Sequence, residues 1–116
     1  MIFHITTLKE WEKAQKLGYY ATESLEKEGF IHCSSDAQVM KVADTFYRDY
    51  QNLILLVIEP QKLISEVKWE SPIHPTSNHS LPINKDETFP HVYGVINLES
   101  VVKIITLKQN GCYRQV

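Results

Sequence analysis

Two phrases of this chain place an imidazole in an apolar, aromatic setting: Gly29-Phe30-Ile31-His32-Cys33-Ser34-Ser35 and Phe89-Pro90-His91-Val92-Tyr93-Gly94. A polar ring buried without a partner costs about 1–3 kcal/mol, so each histidine requires a hydrogen bond, a ligand or solvent. His4 near the start and Glu70 after Trp69 complete the outline of a polar pocket. In a site that excludes water, a carboxylate can orient a sugar hydroxyl or stabilise positive charge forming at a glycosidic carbon. Glu70 is the candidate for that work, with Glu59 and Glu66 as substitutes. Side chains alternate across a strand, so His32 and Ser34 share one face, and Ser34 can meet a phosphate or ribose oxygen. His91 and Tyr93 share a face by the same rule. Gly94 permits close approach of a ligand or of backbone. Tyr19, Tyr20 and Tyr93 are flat enough to stack on a nicotinamide ring. Each assignment has a plainer counterpart: His4 satisfied by backbone or a neighbouring tyrosine, and Glu70 exposed at the edge of the fold.

Other chemistries lack their signatures. His4, His32 and His91 could in principle hold zinc, but none belongs to a local ligand motif, so no metal is expected. His74 and His79 fall in a polar, proline-interrupted segment that solvation alone accounts for. No nucleophile elbow, glycine-rich phosphate loop or Rossmann fingerprint occurs. A net charge of -2 provides no broad attraction to nucleic acid or anionic membranes. No apolar run approaches the roughly 20 residues of a spanning helix. Cys33 and Cys112 are too few for a disulfide framework, and two free thiols are expected. The opening Met1-Ile2-Phe3-His4-Ile5 reads as a strand and not as a secretion signal, which favours a cytoplasmic setting.

The elements that must position these groups follow from the pattern. With 116 residues, 43% apolar and 22% charged, the chain fits one globular domain, 1–116. Met1–Ile5 is expected as a strand. A helix follows, started by Thr7 and Glu10, with Leu8, Trp11, Ala14 and Leu17 as its apolar stripe and Gly18 as its stop. Phe30–Cys33 forms a short strand. Ser35 and Gln38 then open a second helix whose core face is Val39, Ala43, Phe46, Tyr47 and Tyr50. Leu53–Ile58 is continuous enough for a central strand buried on both faces. Val67 and Trp69 read as the core face of a further strand, with Glu70 pointing the other way. Pro72, Pro75 and Pro82 mark a long surface loop. Phe89–Val95, a strand at Val101–Leu107 and a turn at Asn110-Gly111 complete the chain. The fold class is α+β: a compact, split, mixed β-sheet with two main helices.

Nearly the whole chain resembles domain of unknown function family 952. The resemblance rests on Ile2-Phe3-His4-Ile5, Trp11, Gly18-Tyr19-Tyr20, Ser24-Leu25, both histidine phrases, Gln38, Phe46-Tyr47, Leu53–Ile58 and Glu70. It implies an ADP-ribosyltransferase-like fold with a nucleotide-sized cleft and NAD as substrate. His4 would then hold the adenosine-side ribose or the pyrophosphate, and Glu70 the nicotinamide ribose and the developing oxocarbenium ion. Tyr93 or Tyr20 would stack on nicotinamide, with His32 and His91 lining the cleft. Lys68 stands two residues before Glu70, where many protein-modifying transferases carry glutamate or glutamine, so a protein acceptor is left unassigned. The alternatives are a non-catalytic nucleotide- or metabolite-binding module and a structural interaction protein.

Overall fold

The computed structural model describes residues 1–71 and 87–107. Strand β1 (Ile2–Thr7) leads into helix α1 (Leu8–Leu17), strand β2 (Tyr19–Tyr20), helix α2 (Glu23–Glu28), strand β3 (Ile31–His32) and helix α3 (Asp36–Phe46). Strands β4 (Leu53–Ile58), β5 (Glu66–Glu70), β6 (Phe89–Tyr93), β7 (Ile96–Asn97) and β8 (Val101–Thr106) follow, with 3-10 turns at Pro60–Lys62 and Leu98–Ser100.

Local chemistry sets the helix ends. The Thr7 hydroxyl oxygen accepts the Glu10 N–H at 3.2 Å, and Gly18 closes α1 at φ 91°, a left-handed conformation that costs glycine little. Ser35 and Gln38 form a reciprocal capping box on α3. Helix α2 goes beyond the two helices expected. Its signal was present: Thr22 stands extended at the N-cap, Glu23 and Glu26 fill the first turn, Lys27 the last, and Gly29 ends it.

Strand β4 is the middle of the sheet β1-β4-β8, and all six of its residues are buried. Ile54, Leu56 and Ile58 join Ile2, Ala14, Tyr20, Ile31, Cys33, Val92 and Ile96 in one core cluster. Leu53 and Leu55 join Ile5, Val39, Ala43 and Leu107 in a second, on the α3 side. Burying one such aliphatic side chain contributes about 1.5–3 kcal/mol, so this strand anchors both layers. A second three-stranded sheet, β3-β6-β5, supplies Ile31 and Val92 to the first cluster. The backbones of Phe3 and Ser34 bond reciprocally at 2.8 Å and pin the two sheets together at one corner. Strands β2 and β7 form a separate pair.

The α+β class and the split β structure are therefore present. Every described strand pairing is antiparallel, however, so no mixture of strand directions occurs among the described residues. Trp69 corrects the expected core face of β5. It is 52% exposed, because β5 is an edge strand and the cluster beneath it takes in Val67 but not Trp69. Leu8 and Leu17 are exposed at the ends of α1, where only Ala14 is fully buried. Helix α3 stops at Phe46. Tyr47 still packs on the second cluster, while Tyr50 lies past the helix and is exposed. Cys33 is a buried free thiol, and burial raises its pKa. His74, His79, the three loop prolines, Asn110-Gly111 and Cys112 lie outside the described residues.

Candidate functional site

Register on the β3-β6-β5 sheet brings distant residues together. His32 pairs with His91, His91 with Lys68, and Phe89 with Glu70. Alternation then gives the sheet two unlike faces: Ile31, Val92 and Val67 turn into the core, while His32, His91, Tyr93, Lys68 and Glu70 share the other side.

On that outer side Glu70 is the hub. Its Oε1 accepts the Tyr93 hydroxyl at 2.6 Å and His91 Nδ1–H at 2.8 Å. These bonds, Tyr93 first and His91 second, hold the Glu70 carboxyl below the usual carboxylate range, and they raise the Tyr93 phenol. Because an ionised carboxylate only accepts, His91 carries its proton on Nδ1. The Glu70 side chain stays 35% exposed, whereas His91 is 1% exposed. Phe30 covers the His91 ring in a stack 4.1 Å between centroids and 19° between planes. It also meets the Tyr93 ring at 5.3 Å and the His32 ring, edge-on, at 4.8 Å. His32 reaches outward to Glu28 at the end of α2, with Nε2 2.7 Å from Oε2. The Lys68 ammonium stands 4.8 Å from the centre of the Tyr93 ring, a cation–π contact. The result is a buried aromatic cluster, with Phe30 4% and His91 1% exposed, and an ionised carboxylate at its rim.

His4 and Tyr20 belong to a different environment. They sit in the core between the two sheets, 7% and 3% exposed. His4 Nδ1 lies 2.6 Å from the His32 carbonyl oxygen, which can only accept, so Nδ1 carries the proton. Nε2 of the neutral ring then accepts the Tyr20 O–H at 2.8 Å. The Tyr20 hydroxyl also lies within hydrogen-bond distance of the Thr6 hydroxyl, 2.9 Å away. Burial pushes the His4 pKa down to about 4 and the Tyr20 phenol up. Every polar atom of the imidazole is satisfied inside the protein.

Of the residues singled out from the sequence, His32, His91, Glu70 and Tyr93 meet directly. His4 and Tyr20 lie one layer behind them, joined through the His32 backbone. Ser34 is 5% exposed, and its backbone serves the bridge to Phe3. Gly94 does allow a close approach, but by Ser65: a Cβ there would lie 2.9 Å from Ser65 Cβ and closer still to its hydroxyl oxygen. Tyr19 is exposed. Phe30, Glu28 and Lys68 were not singled out as members. Alternation within Phe30-Ile31-His32 signals the first, whereas Glu28 and Lys68 join only through α2 and the β5–β6 register. Gln38 links α3 to the start of β6, donating to the Thr88 carbonyl at 2.7 Å and to Glu87 Oε2 at 2.8 Å. A surface groove of about 580 Å³, lined by Thr7, Leu8, Lys9, Glu12, Gln51 and Asn52, shares none of these groups.

The family model described as "Protein of unknown function (DUF952)" matches residues 5–104, spanning both histidine strands and Glu70. The chain belongs to that family. No curated protein matches its sequence. Among solved structures, this DUF952 protein is similar to protein CC0527 from Caulobacter crescentus. The crystal structure is 26% identical at a TM-score of 0.76, covering 97% of this chain and 92% of that one. A double-mutant crystal form gives 25% and 0.76 over the same shares. The solution structure gives 27% and 0.69, covering 95% and 88%. Among the described residues of this DUF952 chain, no helix is long and apolar enough to cross a membrane. Nor do three His, Cys, Asp or Glu side chains among them form a metal-sized group.

Proposed function

We propose that the outer face of the β3-β6-β5 sheet binds a nucleotide, with NAD as the candidate, and that Glu70 serves glycosidic cleavage or ADP-ribosyl transfer. The observation that carries this reading is the half-exposed Glu70 carboxylate, held ionised by Tyr93 and His91 beside the Phe30 and Tyr93 rings. When the bond from C1′ to the nicotinamide nitrogen breaks, its electron pair leaves with nicotinamide and positive charge develops on the ribose. A fixed carboxylate lowers the energy of that charge more than it lowers the ground state, which is what accelerates a reaction. Water or an acceptor hydroxyl then bonds to C1′ and releases its proton. His91 aims the carboxylate. His32 and Tyr93 would line the ring-binding side. His4 and Tyr20 would act from behind, by fixing the His32 backbone.

A binding module without turnover is the second reading. It is favoured by Glu70 Oε1 already accepting two hydrogen bonds, which leaves Oε2 alone to meet a ligand. NAD titration with nicotinamide release separates the two. Turnover predicts saturable binding and release, with release lost in E70Q. Saturable binding without release supports the module, and no binding to a folded protein overturns both.

A further inference from the structure

Phe30 is 4% exposed, yet among the described residues neither apolar core cluster includes it. Its neighbours are instead the rings of the candidate site. It stacks on His91 at 4.1 Å and 19°, tilts against Tyr93 at 5.3 Å and meets His32 edge-on at 4.8 Å. A near-parallel stack is one of the ways in which flat rings pair. The phenyl therefore fills, beside the Glu70 carboxylate, the seat that a planar ligand ring needs.

The segment that carries Phe30 is lightly held. Residues 21–30 run between two fixed points, Tyr20 and Ile31, both members of the first core cluster. Helix α2 lies within that run and buries none of its residues, although Leu25 packs partly on the same cluster. Two polar ties join it to the chain that follows. Ser24 Oγ donates to the Phe30 carbonyl at 2.8 Å, and Glu28 Oε2 lies 2.7 Å from His32 Nε2. Both side chains of the second tie are more than a third exposed, where solvent weakens an ion pair. Gly29, at φ 90° with nothing within 4 Å of where a Cβ would stand, puts a pivot directly before Phe30.

We propose that α2 and Phe30 form a built-in plug. Phe30 holds the ring seat closed, and α2 lifts about Gly29 to let a nicotinamide-sized ring in among His91, Tyr93 and His32. The inference rests on the nucleotide reading above and deepens it by stating how the site opens. Glu70 keeps its bonds from Tyr93 and His91 in both forms, because those residues sit on β5 and β6, outside the moving segment. When only a fraction of the protein is open, apparent affinity falls by that fraction. An open form of about one part in ten or fewer lowers it tenfold or more.

Calorimetric titration of the wild type and F30A with NAD tests the plug. F30A is expected to bind about tenfold more tightly, because no phenyl has to leave the seat. Equal or weaker binding by a folded F30A overturns the proposal. Backbone hydrogen exchange of the wild type decides it without that variant, should F30A not fold. A six-residue helix lifted from its support is too short to persist in water, so its amides lose protection. The Gly29 N–H, bonded to the Leu25 carbonyl, should therefore exchange faster in saturating NAD. Unchanged or slower exchange there overturns the proposal as well. If it falls while the wild type still binds NAD and releases nicotinamide, the nucleotide reading stands alone. If neither protein binds NAD, both fall together.

Discussion

The two imidazole environments of this protein use the same side chains to opposite ends. Behind the β3 backbone, His4, Tyr20 and Thr6 form a closed array in which every polar atom meets a protein partner. In front of it, His91, Tyr93 and Glu70 form a comparable chain, yet its carboxylate end remains partly exposed. A tyrosine hydroxyl is bonded to an imidazole in the first and to a carboxylate in the second. Only the second contains a charge. A histidine, a tyrosine and a short hydrogen bond are thus no guide to function by themselves; what matters is whether the network closes on itself.

This contrast predicts where substitutions act. The largest effect is expected from H4L, which removes the donor to the His32 carbonyl and the acceptor for Tyr20 while keeping an apolar side chain. It should cost about 4 kcal/mol in a denaturant titration. A loss under 1 kcal/mol would show that the array is not what holds β1 to β3.

Acid should reveal the same group. The folded His4 pKa lies near 4 against an ordinary 6.5, so between those values the unfolded chain binds the extra proton. Stability from this residue is complete above pH 6.5 and is lost as pH falls toward 4, about 3 kcal/mol over the window. The slope should flatten in H4Q, whose amide can still donate to the His32 carbonyl. An equal slope in both proteins assigns the acid sensitivity elsewhere.

Tyr20→Phe removes one hydroxyl and leaves the ring in the core, so about 1–2 kcal/mol is expected, with NAD binding retained. The smallest stability change belongs to E70Q, whose melting midpoint should fall only slightly, because its amide oxygen still accepts from Tyr93 and its side chain borders solvent. The same substitution should have the largest effect on nicotinamide release. Were E70Q strongly unfolded, the front network would be structural like the one behind it, and the contrast would collapse.

Much of the scaffold was legible in the chain. Leu53–Ile58 has no polar residue, and that alone requires cover on both faces. Ser35 with Gln38, and Gly18 after the α1 stripe, encode their caps within a few residues of sequence. Helix α2 is not expected from periodicity, because six residues with little apolar patterning signal only through their caps. Trp69 departs from the expected core face because alternation tells which side of a strand a residue takes, not whether anything lies beneath it. The sequence makes His32, His91, Glu70 and Tyr93 candidates without deciding whether they converge, and it does not separate the roles of His4, Ser34 and Gly94 from theirs. His4 and His32 both stand in apolar strands, yet one points between the sheets and the other outward.

The sequence by itself determined the longer strands and the two main helices, because periodicity, caps and glycine conformations act over a few residues. It also determined that the histidines would need partners, since burying imidazoles among apolar neighbours without one is costly. Only the tertiary structure decided which partners they found. Antiparallel register set His91 beside His32 and Lys68, and the packing of one sheet on the other closed the His4 network while leaving the Glu70 carboxylate at the surface.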